Sequence, residues 1–186
     1  MTRYDTYLFD FFGVIVDEVA DRWFTNHLPN TSIEELRLRY LQDADRGTLS
    51  FTALCDALGT LSHQTSREVA EQWNNYAHIR NDVVAQITKL KNTARIGLCS
   101  NAPSGFVESL LTQYNLEHLF DVIVISSNVQ MVKPDTEIYL HTLKQLDADP
   151  ETTLYIDDTA DNIHAAKQLG MRAVLFADKD DLSRVV

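Results

Sequence analysis

Short, almost continuously apolar runs alternate along this chain with stretches whose apolar positions recur at helical spacing. The apolar runs fall at residues 6–10, 94–99, 122–126, 154–157 and 173–176. Continuous rather than alternating apolarity over so few residues marks strands that are covered on both faces, as in a parallel sheet. Helical periodicity follows at 104–114, 136–146 and 161–169, and Gly170 stands where the last of these should stop. Strand and helix in repeated alternation predict an α/β fold with a doubly wound, Rossmann-like parallel sheet of five or six strands.

The interval between the first two runs breaks this rhythm. Residues 17–80 contain no convincing strand but several helix starts. Ser32 with Glu35 and Thr65 with Glu68 have the spacing of capping boxes. Ser50 opens a further helix over 51–58, with Gly59 as its expected end. The pattern predicts a small all-helical cap, residues 17–80, inserted after the first strand of a core formed by 1–16 and 81–186. Trp23, Phe24, Trp73 and Tyr76 sit at helical spacing within the insertion. They are expected to fill its interior, with one or two turned toward a substrate.

Composition narrows the function. A chain of 186 residues buries enough surface to fold without disulfide or metal staples. Six glycines and four prolines exclude linker-rich or collagen-like architecture. A net charge of −11 disfavours nucleic acid and anionic membrane as partners, because both are polyanions. No apolar run approaches the length of a membrane span, and the opening Met1-Thr2-Arg3-Tyr4-Asp5 lacks the pattern of a signal peptide. Cys55 and Cys99 form no close pair, so they read as buried thiols of a reducing compartment. A cytoplasmic protein, monomeric or homodimeric, is expected.

The chemistry should lie where the strands end, since ligands of open parallel sheets bind beyond the carboxyl ends of the strands. The first run ends in Asp10-Phe11-Phe12-Gly13-Val14 and the second in Ser100-Asn101. Lys133-Pro134 follows the third, and Asp157-Asp158-Thr159-Ala160-Asp161-Asn162 the fourth. Each has a bland explanation. Asp10 can cap or pair in a loop, Ser100 and Asn101 can cap the next helix, Lys133 can be solvated, and Asp157 and Asp158 can favour a helix dipole. The set of four is less easily explained. Three carboxylates brought together repel unless a cation or proton intervenes, and a hard cation such as Mg²⁺ suits such a group. Carboxylate nucleophile, divalent metal, lysine and hydroxyl together suit phosphoryl transfer. Backbone N–H groups around Phe11–Gly13 are expected to add an anion nest.

In this order and composition, the four motifs resemble those of the haloacid dehalogenase superfamily of hydrolases. The likeness extends over essentially the whole chain and is weakest in the cap. It implies a Mg²⁺-dependent phosphatase of the capped branch, similar to the sugar-1-phosphate phosphatases, acting on a small phosphorylated metabolite. The resemblance makes Asp10 the nucleophile that becomes an aspartyl-phosphate, and Lys133 its neutralising partner. Ser100, the backbone of Asn101 and Lys133 would bind phosphate. Asp10, the Phe12 carbonyl, Asp157 and Asp158 would hold the metal.

The chain departs from the family at one position. Family phosphatases usually carry a second aspartate two residues after the nucleophile, as general acid and base, and here that residue is Phe12. General acid–base help is worth about 10²–10⁴-fold. The departure implies a slow enzyme, a good leaving group, or an acid from elsewhere, with Asp17, Glu18, His27, His63 and His78 as candidates. It also leaves two alternatives: a catalytically weak or inactive binding protein, and a 2-haloacid dehalogenase. The dehalogenases place an aromatic residue at the same position but carry no acidic pair in the fourth motif.

Overall fold

The computed structural model describes residues 4–177. Residues 1–3 and 178–186, which the sequence assigns to the core and which include the start of the opening segment, lie outside the described residues.

Five parallel strands form one sheet: β1 (Thr6–Phe9), β2 (Arg95–Ser100), β3 (Val122–Ile125), β4 (Thr153–Asp157) and β5 (Arg172–Leu175). Their order is β3-β2-β1-β4-β5. Strands β1 to β3 are therefore laid outward on one side of β1, and β4 and β5 on the other. The order reverses beside β1, where the crevice of a doubly wound sheet opens.

Side chains alternate across this sheet. Leu8, Cys99, Val124 and Tyr155 pack on one face against α9 (Thr136–Leu146) and α10 (Ala160–Gln168). Tyr7, Phe9, Ile96, Leu98, Leu154 and Ile156 pack on the other, against α6 (Asn81–Leu90) and α7 (Phe106–Gln113). With both faces covered, the strands have no polar face to present, which is why the sequence shows continuous apolar runs. Gly170 adopts φ +91° after α10, as its position as a helix stop requires.

Between β1 and β2 the chain is helical apart from isolated bridges: α1 (Ala20–His27), α2 (Ile33–Leu36), α3 (Gln42–Asp45), α4 (Phe51–Ser62) and α5 (Ser66–Tyr76) precede α6. Ser32 and Ser50 accept N-cap hydrogen bonds from Glu35 and Ala53, and Thr65 with Glu68 forms the full capping box. Gly59 does not end its helix. The helix α4 runs to Ser62 and stops on His63 in the left-handed region. Gly59 lies inside, where the link into α5 turns back so near that a Cβ there would stand 2.7 Å from the Gln64 carbonyl. It makes room for that return of the chain instead. A π-turn, Arg37–Leu41, joins α2 to α3. Trp23, Phe24 and Trp73 are buried as expected.

The two strands of chain entering and leaving this helical block run side by side. Asp17 N–H donates to the His78 carbonyl at 3.0 Å, Arg80 N–H donates to the Ile15 carbonyl at 2.9 Å, and Arg80 Nε pairs with Asp17 at 3.1 Å.

Candidate active site

Sheet registry brings the first and fourth motifs together. Beyond β1, Asp10 N–H still donates to the Ile156 carbonyl at 2.9 Å, so Asp10 leaves the sheet beside Asp157. Its own carboxylate accepts from Phe11 N–H at 2.6 Å. The chain then turns at Gly13, with φ +80°. A Cβ on Gly13 would lie 2.0 Å from Asp158 Oδ2, so only glycine lets this turn pass beneath the second acid of the fourth motif. The Gly13 N–H, expected to be open to an anion, donates to the Val16 carbonyl at 2.7 Å, and Phe11 N–H is spent on Asp10. These two amides are thus closed to an anion, because the turn needs them for itself.

Lys133 is the electrostatic pivot. Its ammonium lies 2.8 Å from Asp10 Oδ1 and 2.8 Å from Asp157 Oδ2, with its side chain 1% exposed. Burial alone would lower its pKa, but Asp10 and Asp157 overcome that and hold it well above the ordinary lysine range. Asn101 sets its position. The Asn101 side chain accepts from Lys133 N–H at 2.8 Å and donates to the Lys133 carbonyl at 2.9 Å. The main chain of Asn101 is the part expected at the phosphate, and the clamp on the lysine backbone uses only its side-chain amide. Ser100, at the end of β2, is fully buried, and its hydroxyl has no hydrogen-bond partner among the described residues.

Asp157 is surrounded by donors. Besides Lys133, it accepts from the Tyr155 hydroxyl, from Thr159 N–H at 2.7 Å, and from Asn162 Nδ2 at 3.0 and 3.1 Å. Burial opposes its ionisation, but Lys133 and these donors keep its pKa below the usual carboxylate value. Asp10 shifts the other way. Burial raises its pKa, Lys133 opposes the rise, and Asp157 and Asp158 add to it. Asp158 is raised by burial and by Asp157.

One oxygen each of Asp10, Asp157 and Asp158 lies within 4.8 Å of the others. Three carboxylates and one ammonium leave two uncompensated negative charges when all are ionised. That deficit, with the Gly13 turn cleared for Asp158, fits a hard divalent cation held by carboxylate oxygens.

A cavity of about 400 Å³ opens over this cluster. The core contributes Asp10, Asn101, Lys133 and Asp158; the helical block contributes Glu18, Asp21, Arg37, Asp45 and Trp73. Phe12 lines it too, but its ring is part of an aromatic stack. Phe12 stacks on Phe106 at 5.7 Å, Phe106 on Phe51 at 4.6 Å, and Trp73 meets Phe106 edge-on at 5.5 Å. The position of the usual second acid is thus absorbed into apolar packing between core and helical block.

Of the residues put forward as replacement acids, Glu18 lines the cavity and the others do not appear in its wall. Asp17 pairs with Arg80 and faces Arg22 and His78. His27 stacks on Trp23 and bonds Gln64, and His63 caps α4. The sequence reading missed Asp45, Arg37 and Tyr155, and it named Asn162 at the end of the fourth run without a role. The single local sign of Asp45 was an acid just ahead of Gly47, too common a pattern to stand out. Cys55 and Cys99 are buried free thiols, as expected.

Comparison with known proteins bears on family and fold. Residues 7–176 match the family model described as haloacid dehalogenase-like hydrolase. The chain is similar to the phosphorylated carbohydrates phosphatase of Thermotoga maritima, 32% identical over 80 residues, covering 43% of this chain and 37% of that protein. It is also similar to an (S)-2-haloacid dehalogenase of Pseudomonas fluorescens, 26% identical over 160 residues, covering 83% and 68%. The curated relatives matched at 32–39% identity are matched over only 16–41% of their own length. Among solved structures, the HAD family enzyme bt-2542 of Bacteroides thetaiotaomicron, in complex with magnesium and inorganic phosphate, superposes with a TM-score of 0.79. Its identity is 20% over 98% of both chains. With 170 consecutive positions under one family model and a sheet that sets all four motifs at one crevice, the chain belongs to the haloacid dehalogenase-like hydrolases.

Proposed function

We propose that this protein is a Mg²⁺-dependent phosphatase of a small phosphomonoester, a sugar or polyol phosphate, working through a phosphorylated Asp10. The observation that carries this reading is the cluster itself. Asp10, Lys133, Asp157 and Asp158 converge with a charge deficit of two, beside a buried serine hydroxyl that has no partner among the described residues.

In this reading Asp10 attacks the phosphorus through a carboxylate oxygen, and Lys133 stabilises the charge on the transferring group. The Ser100 hydroxyl, with no other acceptor among the described residues, donates to a phosphate oxygen, and the Asn101 main-chain N–H supplies a second donor. Asn101 holds Lys133 in place, and Asp157, itself bonded by Tyr155, Thr159 and Asn162, fixes its ammonium. Asp10, Asp157, Asp158 and the Phe12 carbonyl would hold Mg²⁺, which when bound offsets the charge of the carboxylates and phosphate and orients both. Water then cleaves the aspartyl-phosphate.

The helical block, residues 17–80, acts as the cap. It places Glu18, Asp21 and Asp45 over the cluster, with Arg37 the sole basic group it adds to the wall. Arg37 is already held by both oxygens of Asp21, at 2.6 Å each. Such a rim disfavours a second phosphate on the substrate and suits hydroxyl groups, which donate to carboxylates. The Trp73 indole N–H, buried with no partner among the described residues, is a further donor there.

The test is phosphate release from aryl, sugar and polyol phosphates by wild type and Asp10→Asn, with magnesium and with chelator. Magnesium-dependent release that disappears in the variant supports the reading. Phe12 favours a second reading, a binding protein without turnover, and phosphate binding with no release across the panel would put it first. Chloride release from 2-chloropropionate without magnesium would instead make the protein a dehalogenase, against the acidic pair Asp157-Asp158.

A further inference from the structure

The reaction leaves one role unfilled: the leaving oxygen needs a proton, and Phe12 has none to give. Four carboxyl groups outside the metal cluster line the cavity: Glu18, Asp21, Asp45 and Asp161. Asp21 is locked to Arg37 by two hydrogen bonds. Glu18 accepts from the Asp21 backbone N–H, and the charges of Asp21, Arg37 and Asp158 all act on it. Asp161 is exposed in the first turn of α10. Asp45 differs from these. It is half-buried, no hydrogen bond from any described residue holds its carboxyl, and the charges acting on it are Lys133, Glu18 and Arg37. It also lines a second cavity of about 290 Å³, again with Lys133, Arg37 and Asn101. Asp45 and Lys133 therefore share a wall between two chambers.

Its position is fixed by the turn that follows it. Ala44 is fully buried. Gly47, at φ +77°, lies so close to α8 (Ser126–Val129) that a Cβ would stand 2.4 Å from the Ser127 carbonyl. Thr48 closes the turn with backbone and hydroxyl hydrogen bonds to the Asp43 carbonyl, at 3.0 Å each. The end of α3 is thereby seated on the core rather than held at the tip of a free loop.

From this placement, and resting on the phosphatase reading above, we propose that the Asp45 carboxyl is the general acid and base of the reaction, in the role that Phe12 vacates. As Asp10 attacks phosphorus and the bond to the leaving oxygen breaks, the Asp45 proton passes to that oxygen and the alcohol departs. Asp45, now a carboxylate, takes a proton from the water that attacks the phosphorus of aspartyl-phosphate. The bond to Asp10 breaks with its electron pair returning to the carboxylate, and Asp45 is again protonated. Ester and water go to alcohol and phosphate, with no further reactant. Its titration suits both halves. Burial pushes Asp45 up to about 7, Lys133 and Arg37 pull it down, and Glu18 pushes it up; the remaining charged groups lining its two cavities are Asp10, Asp21, Asp158 and Asp161 in the first and Arg46 and Asp135 in the second. Both forms are populated near neutral pH.

The experiment compares polyol phosphate with p-nitrophenyl phosphate, with magnesium, in wild type and Asp45→Asn. An aryl oxide leaves without a proton; an alkoxide does not. The expected result is a fall in kcat/KM of about 10²–10⁴-fold for the polyol ester. The aryl ester loses less than about tenfold in its first step, and a nitrophenol burst appears as the phosphoenzyme accumulates. In wild type, kcat/KM for the polyol ester declines above pH 7 while that for the aryl ester does not, a readout that needs no variant. Asp45→Glu restores part of the polyol rate. Equal losses on both esters, or no loss on either, with a Tm no lower than that of wild type, overturn the proposal. If wild type itself releases no phosphate, or Asp10→Asn keeps normal turnover, the phosphatase reading fails and this proposal with it; loss confined to Asp45→Asn on both esters overturns only the proposal.

Discussion

Replacing Lys133 with methionine removes the cation between Asp10 and Asp157 while keeping a side chain of similar length, so the cavity term is small. The structure sets the magnitude. Both ion pairs are 2.8 Å long, and the side chains are 1% exposed for Lys133, 10% for Asp10 and 0% for Asp157. Taking one partner from such a buried pair leaves an uncompensated charge and costs about 3–5 kcal/mol. At about 2–4 °C per kcal/mol for a chain of this size, Tm falls by about 6–20 °C. The loss depends on pH, and its sign is fixed. Without Lys133 the clustered carboxyls have folded-state pKa values above their unfolded values, the direction Asp10 already shows. Stability tied to a raised pKa is present below the unfolded value and is lost as pH rises through the folded one. The penalty is therefore small near pH 4 and complete at pH 8. Urea unfolding of metal-free wild type and Lys133→Met at pH 5 and pH 8 measures it. In the Lys133→Met background, Asp157→Asn recovers more than half of the loss at pH 8. A loss below about 1 kcal/mol at pH 8 would refute the claim that Lys133 offsets buried charge, as would a loss that does not change with pH.

Gly13→Ala places a methyl 2.0 Å from Asp158 Oδ2 in a left-handed turn. It should cost about 1–2 kcal/mol of stability and weaken magnesium binding at least about tenfold by calorimetry; unchanged affinity would mean that Asp158 does not ligate. Asp45→Asn should leave stability unchanged near pH 4. At pH 8 it should raise stability by about 1–2 kcal/mol, because the wild-type carboxyl, at about 7, loses stability as it ionises. Thermal melts across that range check this, and a gain at pH 4 equal to that at pH 8 would contradict it. Adding magnesium at about ten times its Kd should stabilise the wild type by about 1.4 kcal/mol but not a variant in which Asp10, Asp157 and Asp158 are all amidated. A shift of equal size in both would place the ion elsewhere.

Much of the fold could be read directly because it is written in contiguous residues. The strands β1 to β5 agree with the five apolar runs to within one residue at either end. A strand buried on both faces leaves an unbroken apolar signature, and few other structures do so at that length. Thr65 with Glu68 was legible for the same reason, since a capping box closes within one turn of helix. Gly59 was misread because its local signal, a glycine after a helical run, does not distinguish a helix end from close packing against a neighbour. The π-turn at Arg37–Leu41 left no sequence mark at all.

The sequence by itself determined the sheet, the helical insertion and the four motifs. Asp10, Ser100, Lys133 and Asp157-Asp158 each follow an apolar run, and the registry of parallel strands does the rest. Tertiary structure alone decided how these groups interact. Whether a buried carboxylate is charged depends on neighbours brought by other segments, and so Asp157 is held ionised by Lys133, Tyr155, Thr159 and Asn162 while Asp10 is pushed the other way. It also decided that Phe12 belongs to an aromatic stack with Phe106, and that Asp45 reaches the cavity because Gly47 seats its helix on Ser127. Local patterns report the backbone each segment adopts, but charge and reach across a cavity are set by distances between segments far apart in the chain.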